Sequence, residues 1–215
     1  NAPRPNSTVV NFLKKMGMNS KICEKVYTSG EAALNHLLDK YKDRKFFHIG
    51  PTRDFDLFKL FEKNKVKKIG EADFIICTGL FPNYEDDLSY YSKLFKNNLS
   101  YKMICTNPDL IVDKGNKREY CAGAIAKIFE DMGGKVDYFG KPYPLVYNQS
   151  ADLNEKKVLC IGDNLNTDIK GANMQKFKSL LISNGIHRNE IKNNMENTFI
   201  KYKVKVDYIQ SKLKW

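Results

Sequence analysis

The sequence predicts an α/β fold in which parallel sheets are covered by helices. Short apolar runs that end in glycine, such as Lys45 to Gly50 and Asp73 to Gly79, alternate with longer stretches of helical spacing. Parallel strands need a crossover, usually a helix, so this alternation implies parallel pairing. No internal repeat or low-complexity tract interrupts the beat.

Taken in order, residues 6 to 16 set Val9, Val10, Leu13 and Met16 at helical spacing, with Asn6-Ser7-Thr8 as cap candidates and Gly17 as a stop. A second helix begins near Thr28-Ser29-Gly30-Glu31 and carries Ala33, Leu34, Leu37 and Leu38 on one face. Lys45 to Gly50 is a buried strand, and residues 53 to 62 place Phe55, Phe58 and Phe61 along a helix. The lysine-rich stretch from Lys63 to Lys68 is a turn leading into a strand. Asp73 to Gly79 is the next strand-then-glycine unit, residues 84 to 97 form an amphipathic helix, and Tyr101 to Thr106 is a strand. From 116 to 132 the apolar positions Cys121, Ala124, Ile125, Ile128, Phe129 and Met132 keep helical spacing until Gly133-Gly134 stops it. A strand at Val136 to Phe139, a helix after Pro142, a strand at Lys157 to Ile161, a helix from Asn166 to Met174 and a strand at Ser179 to Ile182 complete the pattern. Ser183 to Ile186 is a loop. In folds of this kind ligands gather at the carboxyl ends of strands, so the residues just beyond each strand matter most.

Composition narrows the function classes. With 42% hydrophobic residues in 215, the chain can bury one large or two modest cores. No apolar run reaches the roughly 18 to 20 residues that cross a bilayer, and Asn1-Ala2-Pro3-Arg4-Pro5 lacks the apolar stretch of a signal peptide. The expectation is a cytoplasmic protein with no membrane partner. Its five cysteines are odd in number and have no CxxC spacing, as expected of reduced, buried thiols. A net charge of +11 would suit a nucleic-acid partner, but the lysines are spread among Asn, Glu and Asp. A solvated surface is the better reading, and its field would help gather a phosphorylated substrate. His36, His48 and His187 show no metal-site spacing, and neither a dinucleotide fingerprint nor a P-loop is present.

The strongest chemical signal is Val158 to Ala172. An apolar strand delivers Gly162, then Asp163 at its carboxyl end, with Asp168 at the start of the next helix. Two carboxylates at a strand-to-helix turn make an oxygen-rich site suited to a hard cation such as Mg²⁺. A bare DxxxxD is ordinarily a turn aspartate and a helix cap. Here the strand before it and Gly171-Ala172 after it favour a site.

Gly162-Asp163-Asn164-Leu165-Asn166-Thr167-Asp168 resembles the GDxxxTD motif of haloacid-dehalogenase-like phosphatases, and Gly140-Lys141-Pro142 resembles the preceding motif in its GKP form, found in NagD-like members. Thr106-Asn107-Pro108-Asp109 resembles the TNPD segment of the NagD-like cap, with the small-residue helix at Tyr120 to Ile125 after it. Asn1 to Pro5 resembles the stretch just after the Thr or Ser of the second motif. The order of these matches covers nearly the whole chain.

The resemblance implies a Rossmann-like core at 1–25 and 136–215 and an inserted α/β cap at 26–135. It implies a Mg²⁺ cofactor on Asp163 and Asp168, catalytic roles for Lys141 and Asp163, and substrate or phosphate contacts from Asn1, Lys141, Asn107 and Asp109, with Leu110 to Lys117 adding specificity. The substrate implied is a small phosphorylated metabolite, and the cap contributes to a homodimer. The family's nucleophile and its acid/base form a DxD on the first core strand, and no segment here replaces it. Asp54-Phe55-Asp56 has the letters but no apolar strand before it, and Asp86-Asp87, Asp113 and Asp137 are expected to be surface acids. The chain is therefore expected to be an N-terminally truncated fragment, inactive alone, of a phosphatase acting through an aspartyl-phosphate. The alternative is a non-catalytic scaffold that kept the fold.

Overall fold

The structure, a computed structural model, describes residues 1–23, 25–150 and 157–214 and consists of two units, Asn1–Gly140 and Lys141 onward. In the first, helices α1 (Asn6–Lys15) and α2 (Ser20–Cys23) precede α3 (Ser29–Lys40). Helix α3 starts where the Thr28 hydroxyl accepts the Glu31 N–H, one of the donors that an uncapped helix leaves unpaired. Strand β1 (Phe46–Ile49) precedes 3₁₀ turns over Thr52–Asn64, then β2 (Lys65–Val66) and β3 (Phe74–Cys77). The helix expected at 53–62 is thus wound more tightly than an α-helix. It is not one continuous helix, since the backbone leaves helical geometry at Phe58 and Phe61.

Helix α4 (Leu88–Phe95) begins at Asp87, whose carboxylate accepts the Ser89 and Tyr90 N–H groups. It leads to β4 (Lys102–Cys105), the hairpin β5 (Ile111–Lys114) and β6 (Lys117–Tyr120), helix α5 (Ala122–Asp131) and β7 (Lys135–Tyr138). The hairpin corrects one expectation: residues 117–120 are strand, not the first turn of a helix. Gly115 turns at φ +59°, and Arg118 makes two hydrogen bonds, of 2.8 and 3.2 Å, to the Asp113 carboxylate opposite it.

The main sheet of this unit is fully parallel in the order β2-β1-β3-β4-β7. Because side chains alternate across a strand, its apolar residues serve two cores. Ile75, Cys77, Met103 and Cys105 pack with Tyr91, Phe95, Ile125 and Phe129 of α4 and α5. Phe46, Phe74, Ile76 and Ile104 pack with Ala33 and Leu37 of α3 and with Leu57, Phe58 and Phe61. Burial on both faces explains why these strands are continuous apolar runs.

Strand β7 is hydrogen-bonded to β4, and the first residues are tied to α3: Ala2 O accepts the Gly30 N–H and the Ser29 hydroxyl, while Arg4 O accepts the Thr28 hydroxyl.

The second unit contains α6 (Pro144–Ser150), β8 (Leu159–Gly162), a π turn at Leu165–Ile169, α7 (Lys170–Met174), β9 (Lys178–Ile182), α8 (Arg188–Asn193), α9 (Met195–Tyr202) and β10 (Tyr208–Gln210). Its sheet is parallel, in the order β10-β9-β8. Its core is small: Leu165, Ile169 and Leu181 against Ile191, Phe199, Tyr202, Val204 and Val206.

Candidate functional site

In the second unit, β8 ends at Gly162 and the chain turns through Asp163 and Asn164 into the π turn. Such turns mark a local insertion and recur at functional sites. Asp168 folds back beneath this loop. Its Oδ2 accepts the N–H groups of Asp163 and Asn164 at 3.1 and 3.0 Å, and its Oδ1 lies 2.5 Å from Lys141 Nζ. A Cβ on Gly162 would overlap the Asp168 carboxylate, so the glycine is needed for close approach. Asp163 is held in the same manner: Oδ2 accepts the Ile186 N–H at 2.9 Å, and a Cβ on Gly185 would overlap it. The structure therefore brings Lys141, Asp163 and Asp168 together, although Lys141 is remote from both aspartates in sequence.

These side chains fit part of a hard-cation site. The donors are all oxygens, and among the described residues no hydrogen bond occupies Asp163 Oδ1. Both Asp168 oxygens are already engaged. Among the described residues no group of three or more His, Cys, Asp or Glu is arranged to hold a metal. Beside the loop, burial raises the Cys160 thiol above its ordinary range, with Lys141 opposing the shift.

In the first unit, Asn1 Nδ2 donates to Asp109 Oδ1 at 3.2 Å, and the Asp109 N–H closes a turn on Asn107 Oδ1 at 3.0 Å. Gly140, at φ +125°, has Asn1, Ser29 and Pro108 where a Cβ would stand. Asn1, Asn107 and Asp109 are thus gathered near Gly140 within the first unit. They line a cavity of about 210 Å³ together with Arg4, Arg53 and Asp54.

Sequence reasoning set Asp54 aside as part of a DxD and did not anticipate its burial. It is 2% exposed and its Oδ1 has no hydrogen-bond partner. Burial raises its carboxyl to about 6, against the lowering effects of the Thr78 hydroxyl, Arg53 and Arg4. Thr78 also bonds His48 Nε2 at 2.8 Å, and burial lowers that imidazole to about 3, so it is neutral. An acid three residues beyond Pro51 carries no local sign of such burial. His187 was also missed, since its partners are distant in sequence. Asp86, Asp87, Asp113 and Asp137 are paired or exposed at the surface, as expected.

Residues 138–209 match a family described as HAD-hydrolase-like. A 4-nitrophenylphosphatase of Schizosaccharomyces pombe is 28% identical over 176 residues, which are 78% of this chain and 57% of the relative. The chain thus spans little more than half the length of that curated relative. A haloacid-dehalogenase-like hydrolase from Brucella suis superposes with a TM-score of 0.77 at 29% identity, over 86% of this chain and 72% of the other. A 4-nitrophenylphosphatase from Thermotoga maritima superposes with a TM-score of 0.65 at 25% identity, over 98% and 78%.

Proposed function

We propose that this chain, a haloacid-dehalogenase-like hydrolase in fold and sequence, carries the phosphoryl-orienting residues of a Mg²⁺-dependent phosphatase acting on a small phosphorylated metabolite. The observation that carries the reading is the ion pair of Lys141 with Asp168, on the same loop that presents Asp163.

Lys141 offers a cation held in place by Asp168, which stabilises charge on a transferring phosphoryl group without reorganisation during the reaction. Asp163, with one oxygen clear of hydrogen bonds, and Asp168 beside it would hold Mg²⁺. The ion, when bound, neutralises charge on phosphoryl oxygens. The reaction in this reading runs through an aspartyl-phosphate: a carboxylate attacks phosphorus, the substrate alcohol departs with a proton from a general acid, and water then hydrolyses the acyl phosphate. Asn1, Asn107 and Asp109 contact the substrate.

A cap at 26–135 inserted in a core of 1–25 and 136–215 belongs to the same reading. A homodimer through the cap is supported by the exposed Leu110, Val112 and Tyr120 around the hairpin. A cytoplasmic location is supported by five cysteines that form no disulfide. Among the described residues no helix is long and apolar enough to cross a membrane.

The test is phosphate release from 4-nitrophenyl phosphate and a panel of sugar and nucleoside phosphates by the product of the complete coding sequence, with and without Mg²⁺. Mg²⁺-dependent turnover that is abolished in Asp163→Ala and reduced at least a hundredfold in Lys141→Ala is expected. Turnover unaffected by either substitution would overturn the assignment.

A further inference from the structure

His187 is 6% exposed, and its ring is held on three sides. Nδ1 lies 3.2 Å from Glu190 Oε1, Nε2 lies 3.4 Å from Asn164 Oδ1, and Tyr202 packs edge-on with ring centroids 4.7 Å apart. Asn164 Oδ1 already accepts the Asn166 N–H, so the ring is the donor in its bond to Asn164. Glu190 is anchored in turn. Lys201 Nζ donates to it at 2.6 Å and Tyr202 Oη at 2.9 Å, and the lysine, with His187 and Tyr202, lowers its carboxyl to about 2. The residue before the histidine, Ile186, donates its N–H to Asp163.

We propose that His187 is a positioning residue for the loop that carries Asp163 and Asp168, bracing it through Asn164 against an anchor made of Glu190, Lys201 and Tyr202. It touches neither carboxylate. The segment 185–187 instead holds Asp163 by a backbone N–H and Asn164 by a side chain, so two consecutive loop residues are fixed from one direction. Asp168 fixes the same two residues from the other, through their backbone N–H groups. A buried polar network of this kind restricts geometry more than an apolar contact can, because each bond has a direction and each unmade bond a cost. Partners outside a metal's own ligands affect metal binding by orienting those ligands.

The inference rests on the proposed metal reading only in part, and its test separates the two. The 215-residue chain is prepared as wild type, His187→Ala, His187→Gln, Asn164→Ala and Phe199→Ala. Phe199→Ala weakens the same small core, which includes Leu165 and Ile169 of the π turn, but removes none of the polar contacts that hold Asp163 and Asn164. Amide hydrogen exchange at Asp163 and Asn164 reads loop order, and amide shifts during MgCl₂ titration read metal affinity.

In His187→Ala, exchange at those two amides is expected to rise about tenfold beyond the change at core amides, with Mg²⁺ affinity falling about tenfold. His187→Gln, whose amide can donate to Asn164, recovers most of both. Phe199→Ala raises exchange across the small core without singling out the amides of Asp163 and Asn164. If His187→Ala does not fold, Asn164→Ala removes the acceptor and reads the same contact. Exchange in the His187 and Asn164 variants that only parallels Phe199→Ala would overturn the proposal. If the wild type binds no Mg²⁺, the metal reading fails and exchange alone decides: a local rise upholds the brace, and a uniform one sinks it.

Discussion

Asp168 divides its carboxylate between a lysine and a loop: Oδ1 pairs with Lys141 Nζ at 2.5 Å, while Oδ2 takes the N–H groups of Asp163 and Asn164. The side chain that pairs with the proposed phosphoryl-binding cation therefore also shapes the turn presenting the proposed metal ligand. Its side chain is 10% exposed, so water replaces these bonds poorly. Asp168→Ala is expected to lower stability by about 2 kcal/mol, because it leaves a cation and two N–H groups without their acceptor. Asp168→Asn should cost less, since the carboxamide oxygen still accepts from the loop. Urea unfolding of the two variants checks the order.

Gly162 and Gly185 leave room for the two aspartates, and alanine at either position overlaps a carboxylate. Each substitution is expected to cost about 1–3 kcal/mol as overpacking and to displace the loop. Gly70 is the control: a Cβ there meets nothing within 4 Å, so Gly70→Ala should leave the urea midpoint within experimental scatter. Equal midpoints for all three variants would contradict the close packing.

Asp54 makes stability depend on pH in a direction opposite to that of most carboxylates. Its folded-state value of about 6 lies above the ordinary 3.8, so between these values the folded chain binds the proton that the unfolded chain has released. Its contribution is full below about pH 4 and is lost as pH rises through about 6, a change on the order of 3 kcal/mol. Unfolding free energies measured from pH 4 to 7.5 should fall less steeply, or rise more, for Asp54→Asn than for the wild type. Parallel curves would remove Asp54 from the account.

Phe46 is fully buried and meets Phe58 and Phe61 edge-on, with centroids 5.0 and 5.5 Å apart. Phe46→Ala should cost about 3–5 kcal/mol. Leu60, on the neighbouring 3₁₀ segment, is 75% exposed, and Leu60→Ala should change stability by less than about 0.5 kcal/mol. Thermal melts of the two variants distinguish the packed face of this segment from its exposed one.

Much of the fold is legible in the sequence because its signals are local and periodic. The apolar runs at 46–49, 74–77 and 102–105 and the helical spacing at 29–40 and 122–131 appear where expected. Gly162, Asp163 and Asp168 lie within one strand–turn–helix, so a short stretch of sequence contains the whole loop. The hairpin strand at 117–120 escapes a reading by period, because Lys117 to Glu119 carry no apolar alternation and the helical pattern after Cys121 extends backward over them. The short helices after Ile186 and strand β10 are equally hard to read, since each spans eight residues or fewer and shows little periodicity.

The strands at 46–49, 74–77 and 102–105, the helices at 29–40 and 122–131 and the loop that carries Asp163 and Asp168 are legible in the sequence alone, since hydrophobic period, caps and glycine turns act between near neighbours. The strand order β2-β1-β3-β4-β7, the burial of Asp54 and the contact of His187 with Asn164 arise only in the folded chain. Each depends on residues distant in sequence, and the environment of an ionisable group is set by whatever the fold packs around it, which no local pattern records.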